Sequence, residues 1–211
     1  MLGKIIFISG PSGVGKGTVI SALRDRHPEW IFPPSCTTRD PRPGEKEGET
    51  YFYISREEFE KRIEEGAFLE YAEVHHGNLY GTLKAPLIDG VEQGKIVVRE
   101  FDVQGFEQAR ERLSRDYYFS IFIKPAEDIE TLVRRIRERD GTISDEEIER
   151  RVESMKKELS LEHLYDATVI SVDEEIDRMI EDTEKIIAEK VGRGDKFQIR
   201  NTLSVYSQYT F

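Results

Sequence analysis

Four short apolar runs divide the chain, and each is followed or preceded by a stretch with helical spacing. The runs are Ile5 to Ser9, Ile96 to Phe101, Tyr118 to Ile123 and Ala167 to Ser171. Continuous apolar runs of this length are typical of buried strands, and strands that alternate with helices favour parallel pairing through crossover connections. The pattern therefore predicts an α/β fold with ligands bound at the carboxyl ends of the strands.

Two capping boxes mark helix starts. Ser55 and Ser144 each precede a glutamate by three residues, Glu58 and Glu147, an arrangement that satisfies free backbone N–H groups at a helix N-terminus. They predict helices over about 56–65 and 145–159. Other helical patterns predict helices over about 18–26, 83–93, 103–113, 127–137 and 174–190.

Two segments interrupt this alternation. Residues 33–82 mix prolines, glycines and aromatic residues with alternating stretches at 50–54 and 67–74, which predicts a small β-rich insertion. Residues 134–151 are rich in arginine and are broken between two helical patterns by Asp140-Gly141-Thr142, which predicts a hinged lid. The rest of a single predicted domain is a core formed by residues 1–32, 83–133 and 152–190, followed by a tail at 191–211.

Composition narrows the class of protein. The 211 residues carry a net charge of −11, which argues against a general nucleic-acid partner or an anionic membrane surface, because such surfaces attract basic footprints. No apolar run approaches the roughly 20 residues of a membrane span. The single cysteine, Cys36, excludes an internal disulfide framework and favours a reducing compartment. We therefore expect a cytoplasmic protein with no nucleic-acid or membrane partner.

The first apolar run leads directly into a glycine-rich loop. Its residues are Gly10, Pro11, Ser12, Gly13, Val14, Gly15, Lys16, Gly17 and Thr18. Such a loop turns backbone N–H groups toward an anion, while Lys16 and the N-terminus of the next helix add positive charge. The alternative is a plain strand-to-helix turn, but the context predicts a cradle for nucleoside triphosphate phosphates. Gly17 stands where a metal-binding hydroxyl is usual, so Thr18 becomes the candidate Mg²⁺ ligand.

A second constellation lies in the β-rich insertion. Arg39 and Arg42 are three residues apart in a loop stiffened by prolines, where two guanidinium groups can grip a phosphate. Tyr51 and Tyr80 add phenols that suit a phosphate or a base edge. Glu70 stands on a predicted strand between them, and its alternative interpretation is an exposed strand glutamate.

Taken in order, five motifs resemble those of the guanylate kinase family. They are GPSGVGKGT, S-x-T-T-R-x-P-R-x-G-E-x-x-G-x-x-Y, F-L-E-x-A-E-V, G-N-x-Y-G-T and E-F-D-V-Q-G, and the similarity runs from about residue 3 to 189. The resemblance implies a three-layer P-loop kinase core with a parallel sheet, a GMP-binding insertion and a helical lid. The implied reaction is ATP + GMP giving ADP + GDP with Mg²⁺. It implies ATP and GMP as partners, with dGMP as a further acceptor, and leaves a homo-oligomer open.

The resemblance also implies roles for individual residues in acceptor binding. The GMP phosphate would be held by Arg39, Arg42, Tyr51 and Tyr80, and the guanine by Ser35, Glu70, Thr82 and Asp102. The chemistry agrees for Glu70, because the guanine edge offers two donors to a carboxylate beside a carbonyl that accepts from hydroxyls. Adenine lacks that donor pair, so a pocket built around Glu70 would reject it by about 10⁴ or more.

For phosphoryl transfer the resemblance implies a cationic set. It consists of Lys16, Arg135, Arg139 and Arg151. Ordinary salt bridging on a helix surface is the alternative for the arginines, and the extra residue Asp140 leaves open whether Arg139 or Arg137 is used. Glu100 would hold Mg²⁺ through water. Asp102 could cap the helix that follows it, a role that can coexist with its contact to the guanine amine.

Two other classes of function remain to be weighed. A guanylate-kinase-like interaction module that holds a phosphorylated segment without turnover would show a degenerate phosphate loop, whereas Gly15 and Lys16 are intact here. A P-loop kinase for a phosphorylated sugar would lack the guanine set of Ser35, Glu70 and Thr82. We therefore expect an enzyme.

Overall fold

A computed structural model describes residues 3–74, 77–126, 128–139, 141–172 and 175–191. Its core is a four-stranded sheet built from β1 (Lys4–Ser9), β6 (Ile96–Glu100), β7 (Tyr118–Pro125) and β8 (Ala167–Ser171). The strands pair in parallel in the order β6-β1-β7-β8. All four predicted strands are confirmed, and β7 extends two residues further than predicted because Lys124 and Pro125 pair with β8.

Seven helices accompany the strands in the described part of the chain. They are α1 (Lys16–Arg26), α2 (Arg56–Glu64), α3 (Lys84–Glu92), α4 (Val103–Arg112), α5 (Ile129–Arg139), α6 (Asp145–Ser160) and α7 (Ile176–Val191). Both predicted serine caps are present: Ser55 Oγ accepts from the Glu58 N–H at 3.1 Å, and Ser144 Oγ from the Glu147 N–H at 3.2 Å. α1 begins two residues earlier than predicted, since Gly15 in the left-handed conformation is its N-cap.

The core sheet is buried on both faces. Alternate residues of β1 point to opposite sides, so that Ile6 and Ile8 pack with α1, α5, α6 and α7, whereas Ile5 and Phe7 pack with α3 and α4. Burial on both faces explains why the strand sequence is an unbroken apolar run. The result is the three-layer α/β core that the alternation of elements predicts.

The β-rich segment forms a second, mixed sheet. Its strands are β2 (Ser35–Thr37), β3 (Tyr51–Tyr53), β4 (Phe68–Val74) and β5 (Asn78–Leu83), in the order β3-β2-β5-β4. β2 pairs in parallel with β3, and the other pairs are antiparallel. One face of this sheet packs against α2, where Cys36, Phe52, Phe59 and Phe68 form a separate apolar cluster. The other face is free to carry polar side chains.

The segment predicted as a lid contains the end of α5 and the first seven of the 16 residues of α6. α5 continues to Arg139, two residues beyond the predicted end, and Asp140 in the predicted break lies outside the described residues. Residues 192–211, which make up nearly all of the predicted tail, also lie outside them. Within the described ranges no helix has both the length and the apolar character needed to span a membrane.

Candidate active site

The phosphate loop connects the carboxyl end of β1 to the N-terminus of α1. Gly10 has φ 149°, and a Cβ there would lie 2.2 Å from the Ile123 carbonyl oxygen, so only glycine fits against the neighbouring strand. Gly15, at φ 103°, turns the backbone into the helix without a side-chain cap. The N-terminal N–H groups of α1 are therefore left for an anion, as the sequence predicts.

Lys16 lies over this loop. Its Nζ donates to the carbonyl oxygens of Gly10 at 2.6 Å and Pro11 at 3.2 Å, and lies 3.9 Å from Glu100 Oε1. A cleft of about 410 Å³ opens beside it. The residues that line this cleft are Ser12, Gly13, Gly15, Lys16, Gly17, Thr18, Glu100 and Arg135. The structure thus brings together most of the predicted phosphate loop, both predicted metal ligands and one predicted lid arginine.

Four of the eight predicted acceptor residues lie in one row across the second sheet. Ser35 pairs with Tyr51 on one side, and Glu70 pairs with Thr82 on the other. The register that pairs Cys36 with Gly81 brings Ser35 beside Thr82, which joins the two halves of the row. Side chains alternate along β2, β3 and β5, and a register shift between Phe68 and Glu70 in β4 places Glu70 on the same side as the other members of the row. The row therefore points away from the apolar cluster beneath α2. Tyr80 precedes Thr82 by two residues on β5, so its side chain is on the same face of the sheet.

Glu70 is not an exposed strand residue. It is partly buried, and its Oε1 accepts a 2.6 Å hydrogen bond from the fully buried hydroxyl of Thr82. Burial raises the pKa of Glu70, while the hydrogen bond from Thr82 and the charge of Arg99 oppose that rise. A carboxylate in this setting needs hydrogen-bond donors from a ligand.

Arg39 is held in place by Glu45. Its Nη1 and Nη2 donate to the two carboxylate oxygens at 2.8 and 2.9 Å, and its Nε donates to the Tyr80 hydroxyl at 3.2 Å. The guanidinium also lies 5.4 Å from the ring centre of Tyr51. Hydrogen bonds from the Arg39 side chain, the Arg42 backbone N–H and the Tyr53 hydroxyl lower the pKa of Glu45 to about 2. Arg42 adds only its backbone N–H to Glu45, and its side chain is exposed.

Asp102 has two predicted roles, a helix cap and a contact with the guanine amine. Its Oδ1 accepts from the Gly105 N–H at 2.7 Å, so Asp102 caps α4. The second oxygen of the same carboxylate is free of this cap, and the charge of Asp102 acts on the pKa of Glu70. The capping role is therefore present, and the contact with a guanine amine remains a prediction.

The arginines of the predicted lid differ in position. Arg135 lines the cleft beside Lys16, and its Nη1 lies 3.3 Å from Ser171 Oγ. Arg151 donates from Nε to Glu147 Oε1 at 3.0 Å on its own helix, α6. Arg137 is exposed and pairs with Asp145 at 2.6 Å, which fits a surface ion pair. The side chain of Arg139 lies outside the described part of the chain, so its role stays a prediction.

Sequence reasoning missed three residues that support the acceptor site. Glu45 anchors Arg39, and Tyr53 donates from its hydroxyl to Glu45 Oε2 at 2.9 Å. Arg99 donates to both Ser35 and Thr82 from the core strand β6. The sequence feature that could have indicated Arg99 is its position directly after the apolar run Ile96-Val97-Val98 of a predicted buried strand.

Comparison with known proteins agrees with this geometry. The family model described as guanylate kinase matches residues 2–190. A guanylate kinase of Nostoc is 44% identical over 81% of this chain and 83% of its own length, and one of Clostridium tetani is 41% identical over 93% and 90%. The crystal structure of guanylate kinase from Anaplasma phagocytophilum matches with a TM-score of 0.69 and 32% identity, covering 90% of this chain and 87% of that one. The chain described here belongs to the guanylate kinase family.

Proposed function

We propose that this chain transfers the γ-phosphoryl group of ATP to GMP, producing ADP and GDP. The observation that carries the proposal is the Glu70 carboxylate, which is partly buried and accepts from the hydroxyl of Thr82, with Ser35 next to Thr82 in the same row. Guanine presents an N1–H and a C2 amine to a carboxylate, and its C6 carbonyl accepts from a hydroxyl. Adenine would place no donor at N1 against Glu70, leaving a partly buried charge unsatisfied.

The acceptor phosphate is proposed to bind at the other end of the same row. Arg39 is already oriented by Glu45 and Tyr80, so little side-chain freedom remains to be lost when it binds a phosphate. Tyr51 and Tyr80 lie with ring centres 5.8 Å apart beside it, and their hydroxyls suit phosphate oxygens. Arg42, exposed in the same loop, supplies the second cation.

Phosphoryl transfer is proposed to depend on positioning and charge rather than on a strong base. The phosphate loop binds the β- and γ-phosphates of ATP through backbone N–H groups and Lys16. Arg135 shares the cleft with Lys16 and neutralises charge that develops on the transferring group. Arg139 and Arg151 are proposed to reach the same group when the lid closes, which for Arg151 requires release from Glu147.

The residues beside the cleft fit a hydrated Mg²⁺. Thr18 offers a hydroxyl and Glu100 a carboxylate, and both are exposed to the cleft. No cluster of three or more His, Cys, Asp or Glu suited to a metal occurs among the described residues, which agrees with a Mg²⁺ bound chiefly by phosphate oxygens and water. When bound, Mg²⁺ neutralises phosphate charge. Glu100 and Thr18 are proposed to orient its water ligands.

The proposal is tested by a coupled assay that measures ADP formation from ATP and Mg²⁺ with GMP, AMP, UMP or CMP as acceptor. We expect GMP to be preferred over AMP by about 10⁴ or more in kcat/KM. The Lys16→Met variant, purified identically, controls for contaminating kinases, and excess EDTA tests the need for a divalent cation. Equal use of AMP, or no ADP above that control, would contradict the proposal.

Three finer points belong to the proposal. We place the enzyme in the cytoplasm, because its one cysteine is buried and has no second cysteine in the chain with which to form a disulfide. dGMP is proposed as a second acceptor, to be tested in the same assay. A homo-oligomer can be tested by analytical ultracentrifugation. No observation favours a binding module without turnover.

A further inference from the structure

The core strand β6 carries two charged residues, Arg99 and Glu100. Glu100 lines the cleft beside Lys16, whereas Arg99 extends toward the second sheet, which we call the acceptor sheet. Arg99 pairs in register with Phe7 of β1, so its backbone is part of the core sheet. Its guanidinium leaves that layer and donates to three oxygens: Thr82 Oγ1 and the Pro33 carbonyl oxygen at 3.0 Å each, and Ser35 Oγ at short range.

The two contacts with hydroxyl groups determine the direction of their protons. A guanidinium has no acceptor atom, so each hydroxyl that meets Arg99 must receive a hydrogen bond there. Thr82 then uses its only proton to donate to Glu70 Oε1 at 2.6 Å. Ser35, whose Oγ already accepts from Arg99, has its proton left to donate toward a ligand. The Thr82 proton is thus committed to Glu70 before any ligand binds, and the Ser35 proton points away from Arg99, which favours donation by Ser35 to a ligand.

The same guanidinium supports the charge of Glu70. Burial raises the pKa of that carboxyl, and the positive charge of Arg99 opposes the rise. Burial also lowers the pKa of Arg99, with Glu70 and Glu100 acting in the opposite direction. An ionised Glu70 only accepts hydrogen bonds, whereas a protonated one would also donate. Without the guanidinium, the Ser35 and Thr82 hydroxyls could rotate, and the ionised form of Glu70 would lose a nearby positive charge.

We propose that Arg99 is a positioning residue that determines base specificity. By supplying the hydrogen bonds that Ser35 and Thr82 accept, it leaves Ser35 as a donor and Glu70 as an acceptor. The row then matches a purine with a carbonyl at C6 and donors at N1 and C2. This inference rests on the proposed GMP kinase activity, since it concerns the same pocket. Arg99 acts through the hydroxyls and needs no contact with the base.

The test compares three acceptors with ATP as donor. GMP carries the C6 carbonyl, the N1 proton and the C2 amine, and inosine monophosphate lacks only the amine. The 2,6-diaminopurine ribonucleoside monophosphate keeps the C2 amine but has an amino group at C6 and no proton at N1. Their kcat/KM values are measured for the wild type and for Arg99→Leu, Arg99→Lys and Arg112→Leu. Arg112 is the matched control, because it donates to the Leu69 carbonyl oxygen of β4 at 3.0 Å and contacts none of the three base-reading side chains in any described hydrogen bond.

In Arg99→Leu we expect the preference for GMP over the diaminopurine nucleotide to fall by about tenfold or more, the scale of one hydrogen bond to a charged group. The Ser35 hydroxyl can then turn and accept from the C6 amino group. KM for ATP should stay unchanged, and Arg112→Leu should keep the wild-type preference. Arg99→Lys, which retains charge and two or fewer of the contacts, should fall between wild type and Arg99→Leu.

Two results would overturn the inference. The first is a base preference equal to that of the wild type in both Arg99→Lys and Arg99→Leu. The second is a loss of preference in Arg112→Leu as large as that in Arg99→Leu, which would show a general loosening of the acceptor sheet. Circular dichroism and thermal melts establish that each variant is folded, and Arg99→Lys carries the test if Arg99→Leu does not fold. Failure of the wild type to phosphorylate GMP would instead refute the proposed function, so the two failures are distinguishable.

Discussion

Glu70 and Glu45 are both carboxylates close to an arginine, yet their surroundings shift the two pKa values in opposite directions. Glu45 receives both N–H groups of Arg39, a backbone N–H and a tyrosine hydroxyl, so its charged form is stabilised. Glu70 accepts a hydrogen bond from the Thr82 hydroxyl in a more buried position, and this burial raises the pKa of Glu70. We infer that Glu45 orients a phosphate-binding arginine, whereas Glu70 is left in need of donors.

The first prediction concerns Glu70. Glu70→Gln should raise KM for GMP by about 10- to 100-fold, because an amide offers one acceptor oxygen and an NH₂ donor to the two donors of guanine. KM for ATP should be unchanged. Initial-rate kinetics with each substrate varied in turn measure both values. Glu73→Gln, an exposed glutamate on the same strand, is the control, and an unaltered KM for GMP in Glu70→Gln would refute base reading by this residue.

The second prediction concerns Lys16. Lys16→Met should lower kcat by about 10³-fold, the scale of losing one preorganised group that stabilises transition-state charge. The free energy of unfolding should change little, because the ammonium donates hydrogen bonds to its own loop and its long ion pair, at 3.9 Å, is with the exposed Glu100. Stopped-time assays and urea denaturation measure the two quantities. Lys185→Met, at an exposed site on α7, should keep full activity, and wild-type kcat in Lys16→Met would exclude the proposed role.

The third prediction is a pH dependence of stability. The pKa of Glu45 is about 2 in the folded protein against an ordinary value of 4.5, so its ion pair with Arg39 stabilises the fold fully above about pH 4.5. That contribution is lost as the pH falls toward 2. The difference in urea midpoint between wild type and Glu45→Gln should therefore shrink between pH 6 and pH 2.5. A constant difference, or an equal one for the exposed Glu49→Gln, would contradict this assignment.

At the scale of elements, strand register explains how distant residues form one site. Ser35, Tyr51, Glu70 and Thr82 come from four different strands, and pairing aligns them in one row. The opposite face is apolar and packs on α2, so a one-residue slip would bury the polar row and expose the cluster. Close packing reinforces the register at Gly81, where a Cβ would lie 2.9 Å from both Phe59 and Phe68.

The fourth prediction belongs to a helix. Ser144→Ala should lower the free energy of unfolding by about 1 kcal/mol, because the Glu147 N–H at the start of α6 loses its acceptor. Ser144→Asp should restore most of this loss, since a carboxylate also caps and favours a helix N-terminus. Urea denaturation of the three proteins provides the comparison. A stable Ser144→Ala variant with an unstable Ser144→Asp variant would argue against the cap.

At the scale of the whole molecule, the acceptor row and the phosphate loop are built on different sheets. The loop follows β1 of the core, the row crosses the second sheet, and Arg151 of α6 is paired with Glu147. Phosphoryl transfer requires the acceptor, the donor and the cations to meet with water excluded. We therefore expect segments 33–82 and 134–151 to close on the core when both nucleotides bind.

The fifth prediction tests this closure. Adding GMP with a non-hydrolysable ATP analogue should reduce the radius of gyration in small-angle X-ray scattering and slow amide exchange in both segments. Either nucleotide alone should produce a smaller change than the pair. Lys16→Met, which is expected to bind the analogue weakly, serves as the control. Unchanged scattering and exchange with both ligands would contradict the predicted motion.

Most elements of the fold could be predicted from local pattern, because buried parallel strands leave continuous apolar runs and helix caps depend on residues three positions apart. β1, β8 and the starts of α2 and α6 match the predictions within a residue. Boundaries such as the start of α1 could not be predicted as well, since the left-handed Gly15 allows the helix to begin at Lys16. The pairing of Glu45 with Arg39 was not predicted either, because the spacing of residues in a motif does not indicate where their side chains point.

The sequence by itself determined the α/β class, the phosphate loop and the resemblance to guanylate kinases, because each depends on residues that are close together along the chain. Only the tertiary structure decided which polar groups meet across the acceptor sheet. Arg99 shows the difference most clearly, since it lies 17 residues from Thr82 and 64 from Ser35 and bonds to both. Contacts at such separations depend on strand register and on the packing of one sheet beside another, which no local pattern encodes.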